Sequence, residues 1–311
     1  MVLFMKFHQL RSFVAIYEEG SFSRAAERAN ATQSGLSMHI QNLEAGLGVK
    51  LFERSAKGVT ATVAGERLYG RAVELMRGMQ EAEEEALGAS GKVSGHIRVG
   101  LLPAFTQSIL APALIDFNER YPNVHVAILE GFSPVLADAV TRGAIDFAIV
   151  PMDTHQQGLR YRHFASDREI LVSNVHSSLA HLQSVAPADL PPLKLVLPSH
   201  GNARRDRLDL VFSGHGVNVA SVLEMDSMAA TLELVANSDF MTVLPAILCG
   251  RDLSSGARKL HPIMDPPITV EYGLIQQKSA ATSTAASLFQ DTLKNHFIRI
   301  ANKWSEYVPS F

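Results

Sequence analysis

The sequence predicts an α/β protein in three parts: an N-terminal winged helix-turn-helix, a long linker helix, and a two-lobed α/β domain. Three observations carry this. Residues 32–48, TQSGLSMHIQNLEAGLG, space Leu36, Ile40 and Leu43 at i, i+4 and i+7, a narrow apolar stripe on a short helix. Residues 63–87 repeat apolar positions every four and three residues. From Ile97 onward, apolar strands alternate with amphipathic helices.

The bulk composition fits this division. The chain has 311 residues, 47 % hydrophobic and 19 % charged, enough for two or three globular domains. A net charge of −3 and a pI near 6.5 do not advertise nucleic-acid binding, so such binding must be a local property. The single cysteine, Cys249, excludes an internal disulfide and a paired-cysteine metal site. No apolar run is long enough to span a membrane, and the opening MVLFMKF is too short for a signal-peptide core. A cytoplasmic protein is expected, starting at Met1 or Met5.

The first helix places Leu10, Phe13, Val14 and Tyr17 on one face and stops at Gly20. Ser21 or Ser23 caps the next, whose Ala25, Ala26 and Ala29 allow close helix approach. Thr32 caps the third. Opposite its apolar stripe lie Ser34, Ser37, Met38, Gln41 and Asn42. Amides and hydroxyls suit base edges, and a methionine can meet a thymine methyl; a merely solvated polar face is the alternative. Two helices joined by a tight turn, with polar residues early in the second, match a helix-turn-helix. Ser23, Thr32, Gln33, Ser34, Ser37, Met38, Gln41 and Asn42 are therefore the candidate DNA contacts on helices.

Residues 51–62, LFERSAKGVTAT, read as two short strands turning at Lys57-Gly58. Such a wing places Arg54, Lys57 and Thr60 against the phosphate backbone, where contacts position rather than specify. Residues 1–72 hold nine Lys and Arg against six Glu, a small local basic excess.

Thr62 caps a long helix in which Leu68, Ala72, Leu75, Met79, Ala82 and Ala86 form a heptad seam. The expectation is a dimerisation helix, since a paired helix-turn-helix needs two copies to span two half-sites. An amphipathic helix packed on its own domain is the alternative. Gly88, Gly91 and Gly95 then mark a domain boundary.

Beyond it, strands are expected at 97–102, 124–129, 146–150, 170–175, 194–197, 217–224, 241–244 and 268–276. Helices are expected at 107–120, 134–141, 202–212, 228–236 and 285–304. The alternation argues for a mainly parallel sheet in two similar halves with a cleft between them.

The blocks GSFSRAAERANATQSGLSMHIQNLEAGLGVKLFERSAKGVTATVAGERL (20–68), IRVG (97–100), FNERYPNV (117–124), RGAIDFAIV (142–150) and LELVANSDFMTVLP (232–245) together resemble the LysR-type transcriptional regulators. The resemblance covers nearly the whole chain. It departs at Ser34-Gly35, at the arginine-free centre Met38–Asn42, and at Ala236–Phe240. It implies a winged helix-turn-helix over 1–62, a linker and dimerisation helix with hinge over 63–92, and an effector-binding domain over 93–311. That domain is expected to resemble periplasmic binding proteins, with lobe I at about 93–163 and 270–305 and lobe II at about 164–269. The resemblance further implies a homo-oligomer, dimer or tetramer, that holds double-stranded DNA, answers to a small molecule, and contacts RNA polymerase.

Ligands of open α/β sheets sit beyond the carboxyl ends of strands. Those ends give the candidate effector residues Ala104, Phe105, Thr106, Phe132, Ser133, Pro151, Met152, Ser199, His200, Gly201, Asn202, Arg204 and Ser227. Several lead into helices, whose free N–H groups favour an organic anion. The serines serve equally well as helix caps, and Arg204 or Arg205 offers a bidentate carboxylate partner. The lobes are expected to join near Phe164-Ala165 and Ile268-Thr269. No nucleophile–base constellation, phosphate loop or paired-histidine motif stands out, so no enzyme, cofactor or metal is expected. The competing reading is a DNA-binding architectural protein without an effector.

Overall fold

The computed structural model describes residues 5–55, 58–88, 93–152 and 157–308. They form two compact units, Met1–Gly95 and His96–Phe311.

In the first unit, α1 (Phe7–Glu19), α2 (Phe22–Arg28) and α3 (Gln33–Leu47) precede a hairpin of β1 (Phe52–Ser55) and β2 (Gly58–Ala61), then α4 (Val63–Gly88). Each boundary has a local cause. Gly20 ends α1 in the left-handed region, at φ 58°, which costs glycine least. Ser21 accepts the Arg24 N–H to cap α2, and Thr32 accepts that of Gly35 at 3.1 Å to cap α3. Thr62 caps α4 through the Gly65 N–H at 3.1 Å. Gly65 also lets α4 lie close to the wing, because a Cβ there would sit 2.3 Å from the Leu51 carbonyl oxygen. Phe13, Ile16, Leu36, Ile40, Leu43 and Leu51 make the core.

The expected seam along α4 divides. Ala72 is fully buried in this same core and Leu68 packs against it, together with Val73 and Met76. These two are thus intrachain packing positions, because the first turns of α4 cross the three-helix core. Leu75 and Met79 are 55 % and 44 % exposed, and Ala82 is exposed, because the helix runs on past that core. The side chains of Ala86 and Arg54, and residues Lys57 and Gly91 altogether, lie outside the described residues.

The second unit opens with β3 (Gly95–Leu101), α5 (Pro103–Phe105), a π-helical turn over Thr106–Leu110, and α6 (Ala111–Arg120). The helix expected from residue 107 therefore starts earlier and widens before Pro112, which cannot supply the N–H of a regular α-turn. Next come β4 (Val124–Glu130), α7 (Ser133–Thr141), β5 (Phe147–Pro151) and β6 (Leu159–Ser173). The remaining elements are β7 (Leu193–Leu197), α8 (Ala203–Gly214), β8 (Val219–Glu224), α9 (Met228–Ala236), β9 (Thr242–Pro245), α10 (Asp252–Ser255), β10 (Lys259–Pro262), β11 (Thr269–Gln277) and α11 (Thr284–Tyr307).

The main sheet runs β10-β6-β11-β5-β3-β4, with β9 also on β6, and β7 and β8 form a separate parallel pair. It is mixed, not mainly parallel as expected. β3 and β5 are parallel, while β11 is antiparallel to both β5 and β6. The reason is the path of the chain. β6 carries it out of the first half and β11 carries it back, so the two crossing strands must oppose each other. β6 is also far longer than the strand expected at 170–175. It pairs with β11 up to Arg168↔Thr269 and changes partner at Glu169↔Pro245. β6 thus changes partner at Arg168-Glu169, beside the start of β11 at Thr269. There the Glu169 N–H donates to the Ile268 carbonyl at 2.8 Å.

Candidate functional site

On the first unit, the apolar stripe of α3 is buried as its spacing requires, and the opposite face is open. Gln33, Ser34, Gln41 and Asn42 are exposed, Met38 is 55 % exposed, and Ser37 is half-buried. Local hydrogen bonds order the start of this face: Ser34 Oγ donates to Thr32 Oγ1 at 3.2 Å, and Ser23 Oγ to Gln33 Oε1 at 3.4 Å. Thr60 is exposed on β2, opposite Glu53 in the hairpin register.

Sequence reasoning missed Glu44. It is buried on the apolar side of α3 and accepts the N–H of Leu51 at 2.8 Å, that of Phe52 at 3.4 Å, and Lys50 Nζ at 2.7 Å. Desolvation pushes its pKa up, but the hydrogen bonds from Lys50, Leu51 and Phe52 outweigh it and hold the carboxyl below its usual range. Glu44 therefore fixes α3 to the root of the hairpin. Its signal in the sequence is a lone acid beside Ile40 and Leu43.

On the second unit, a cavity of about 460 Å³ lies between its two halves. Ala104, Phe132, Ser133, Pro151, Ser199, His200, Gly201, Asn202 and Arg204 all line it. α7 begins there with Ser133 buried, and α8 begins there with Asn202 capping the Arg204 N–H at 3.0 Å. Met228, at the start of α9, also faces it. Three helix N-termini thus converge on one space, each with about half a positive charge at its end.

Four candidates do not line it. Phe105 is fully buried, its ring 4.8 Å from that of Tyr272 and 6.1 Å from that of Phe297, so it belongs to the core of the first half. Thr106 sits in the π-turn, and its hydroxyl bonds to the Pro103 carbonyl and the Glu130 carboxylate. Met152 lies over Gly273 on the neighbouring strand, where a Cβ would be 2.9 Å from its Cγ. Ser227 spends its hydroxyl on capping α9 through the Ala230 N–H. An apolar or hydroxylated residue at a strand end does not reveal which way it turns, so sequence alone does not separate these four from the rest.

The cavity also holds residues without a sequence-assigned role. Glu169, at the crossing of β6, is 2 % exposed, and its carboxylate receives Arg204 Nε at 3.0 and 3.3 Å and Nη2 at 3.2 Å. Asp226 accepts the Ser199 N–H at 3.1 Å. Tyr272 keeps a neutral hydroxyl, because burial, reinforced by Asp167 and Glu169, raises its pKa well above the ordinary value. Arg205 turns away from ligand duty and bonds Asp209 at 2.7 Å and the Pro198 carbonyl at 3.0 Å.

Cys249 is buried and its thiol is pushed up by burial, with Asp252 adding to the effect. Among the described residues, no cluster of His, Cys, Asp or Glu is placed to hold a metal ion, and no helix is long and apolar enough to cross a membrane.

Comparison with known proteins gives both halves a family. Residues 7–66 match "Bacterial regulatory helix-turn-helix protein, lysR family", and residues 90–298 match "LysR substrate binding domain". The HTH-type transcriptional regulator YwbI of Bacillus subtilis is 31 % identical over 94 % of this chain and 97 % of its own. A probable hydrogen peroxide-inducible genes activator of Mycobacterium leprae is 31 % identical over 76 % of each chain. Among solved structures, an OxyR variant of Corynebacterium glutamicum aligns with a TM-score of 0.65 at 25 % identity, covering 97 % of this chain and 95 % of that one. Full-length CbnR in complex with its target DNA shares the fold, with a TM-score of 0.63 at 21 % identity over 94 % of this chain and all of that one. With a helix-turn-helix matched over its first part and a substrate-binding domain over the rest, the chain belongs to the LysR-type transcriptional regulators, DNA-binding proteins with an effector-binding domain.

Proposed function

We propose that this regulator holds double-stranded DNA as a homo-oligomer, a dimer or a dimer of dimers, and that a small organic anion in the cavity of the second unit switches it. Residues 1–62 read DNA, with Ser34, Ser37, Met38, Gln41 and Asn42 at base edges and Arg54, Lys57 and Thr60 of the wing at phosphates. Residues 63–92 join protomers, using the outer positions Leu75, Met79 and Ala82. Residues 93–311 bind the effector. The protein works in the cytoplasm, without catalytic chemistry or a cofactor, and RNA polymerase is the partner through which a promoter-bound regulator acts.

One observation carries the effector reading. Three helices start at the wall of a 460 Å³ cavity, and Ser133 and Ser199 line it beside those starts. Backbone N–H groups at helix N-termini bind anions without a dedicated lysine. A thermal-shift screen of the full chain against anionic, neutral and cationic metabolites tests this. Stabilisation by an anion, lost when Ser199→Trp fills the cavity, is the expected result. Stabilisation only by compounds that carry no anionic group overturns the anion, and stabilisation that Ser199→Trp leaves intact moves the site.

The lone cysteine argues against peroxide sensing by a thiol. A buried thiol held protonated lacks the thiolate that such chemistry requires.

A further inference from the structure

Glu169 and Arg204 are both turned to the cavity, yet each already holds the other. The pair is neutral as a unit, but its hydrogen-bonding capacity is not exhausted. A carboxylate has about four acceptor positions and a guanidinium five donors, and only Nε and Nη2 of Arg204 reach Glu169. This decides what can settle beside it. A ligand with only a carboxylate sets its charge next to that of Glu169, in surroundings where like charges repel strongly. It also gains only the part of Arg204 that Glu169 leaves open. A ligand with only an amine meets the same obstacle at Arg204. A ligand with both groups a bond or two apart puts each on the opposite member of the pair.

We propose that the cavity takes a zwitterionic, amino-acid-type ligand. Its protonated amine binds Glu169, its carboxylate binds Arg204 and the N–H groups at the start of α7, and its apolar side chain lies against Phe132, Val196 and Leu244. This rests on the reading of the cavity as the effector site and narrows it. Glu169 stands where β6 leaves β11 for β9, so a ligand held there touches the strand that joins the two halves.

Calorimetric titration of the full chain with skeleton-matched probes tests the proposal. The probes are L-phenylalanine, L-tryptophan and L-leucine; the same skeletons without the amine (hydrocinnamate, indolepropionate, isocaproate); and without the carboxylate (phenethylamine, tryptamine, isopentylamine). At least one amino acid should bind about tenfold or more tightly than both of its single-charge analogues, the difference expected of one charge-assisted hydrogen bond. Glu169→Gln should erase the preference for the amine and tighten binding of the deaminated acid, because Arg204 is released. Ser199→Trp should abolish binding. A deaminated acid that binds as tightly as its amino acid, and is lost in Ser199→Trp, overturns the zwitterion but leaves the cavity as an anion site. Binding that survives Ser199→Trp overturns the cavity reading itself, and no binding by any probe overturns the proposal. The first comparison uses the unaltered chain, so it decides the matter even if Glu169→Gln fails to fold.

Discussion

Glu44 on α3 accepts the Leu51 N–H at 2.8 Å, and this bond ties α3 to the first residues of the hairpin. The two elements proposed to meet DNA are thus joined by one buried carboxylate. Replacing it by Ala leaves the Leu51 N–H without its partner in a buried place, a loss of about 1–3 kcal/mol. Glu44→Ala should lower the stability of the first unit by that order and weaken DNA binding. An unchanged urea midpoint would contradict the assignment. The pH dependence has a definite sign. The folded pKa of Glu44 is held below its unfolded value of 4.5, so its contribution is present above pH 4.5 and is lost as pH falls through the folded value. Glu44→Gln should flatten acid destabilisation in that range.

The reading face and the wing should fail differently. Ser34→Ala and Gln41→Ala should cost about 1–3 kcal/mol at individual base pairs and relax sequence choice. Arg54→Ala should weaken all sequences alike and reduce the log–log salt slope by about 0.9 for each phosphate no longer neutralised. Competition between specific and random DNA at several salt concentrations separates the two. Equal losses on both DNAs for the helix variants would remove the base-reading role.

Much of the first unit is legible in its sequence. Thr32, Gly20 and the spacing of Leu36, Ile40 and Leu43 act within one or two turns of helix, and local sequence carries local causes. The second unit is less so. Residues 159–168, LRYRHFASDR, are too polar to read as a strand, yet they form most of β6 because β11 pairs with them along the edge. Glu169 reads as a surface acid in a strand, and only its pairing with Arg204, on a distant helix, explains its burial. The strand-end rule finds the cavity, but it does not tell Ser133, which lines it, from Phe105, which fills the core behind.

The outer face of α4 makes a separate prediction. Leu75 and Met79 are exposed leucine and methionine side chains one turn apart, past the point where Ala72 closes the core. Changing both to Glu should leave the fold of the first unit intact, since neither is buried in it, and convert the oligomer to monomers in analytical ultracentrifugation. An unchanged assembly would place the interface elsewhere.

Asp167 should set a pH dependence of the opposite sign to that of Glu44. Desolvation raises its pKa to about 7, against hydrogen bonds from the Ile247 and Arg168 N–H groups that lower it. The folded state therefore holds this proton where the unfolded state, titrating near 3.8, has released it. Its contribution is complete below pH 3.8 and is lost as pH rises through about 7. Asp167→Asn should make the second unit lose less stability between those limits than the unaltered chain does. Parallel melting curves across that range check it, and identical slopes would contradict it.

The open face of α3 is proposed to choose the DNA sequence. Genome-wide mapping of bound DNA, run on the unaltered chain beside a Ser34→Ala, Gln41→Ala double variant, reads this out. The expected result is a limited set of sharp sites sharing two half-sites, emptied by the double variant. Uniform coverage, or sharp sites that the double variant keeps, would contradict it.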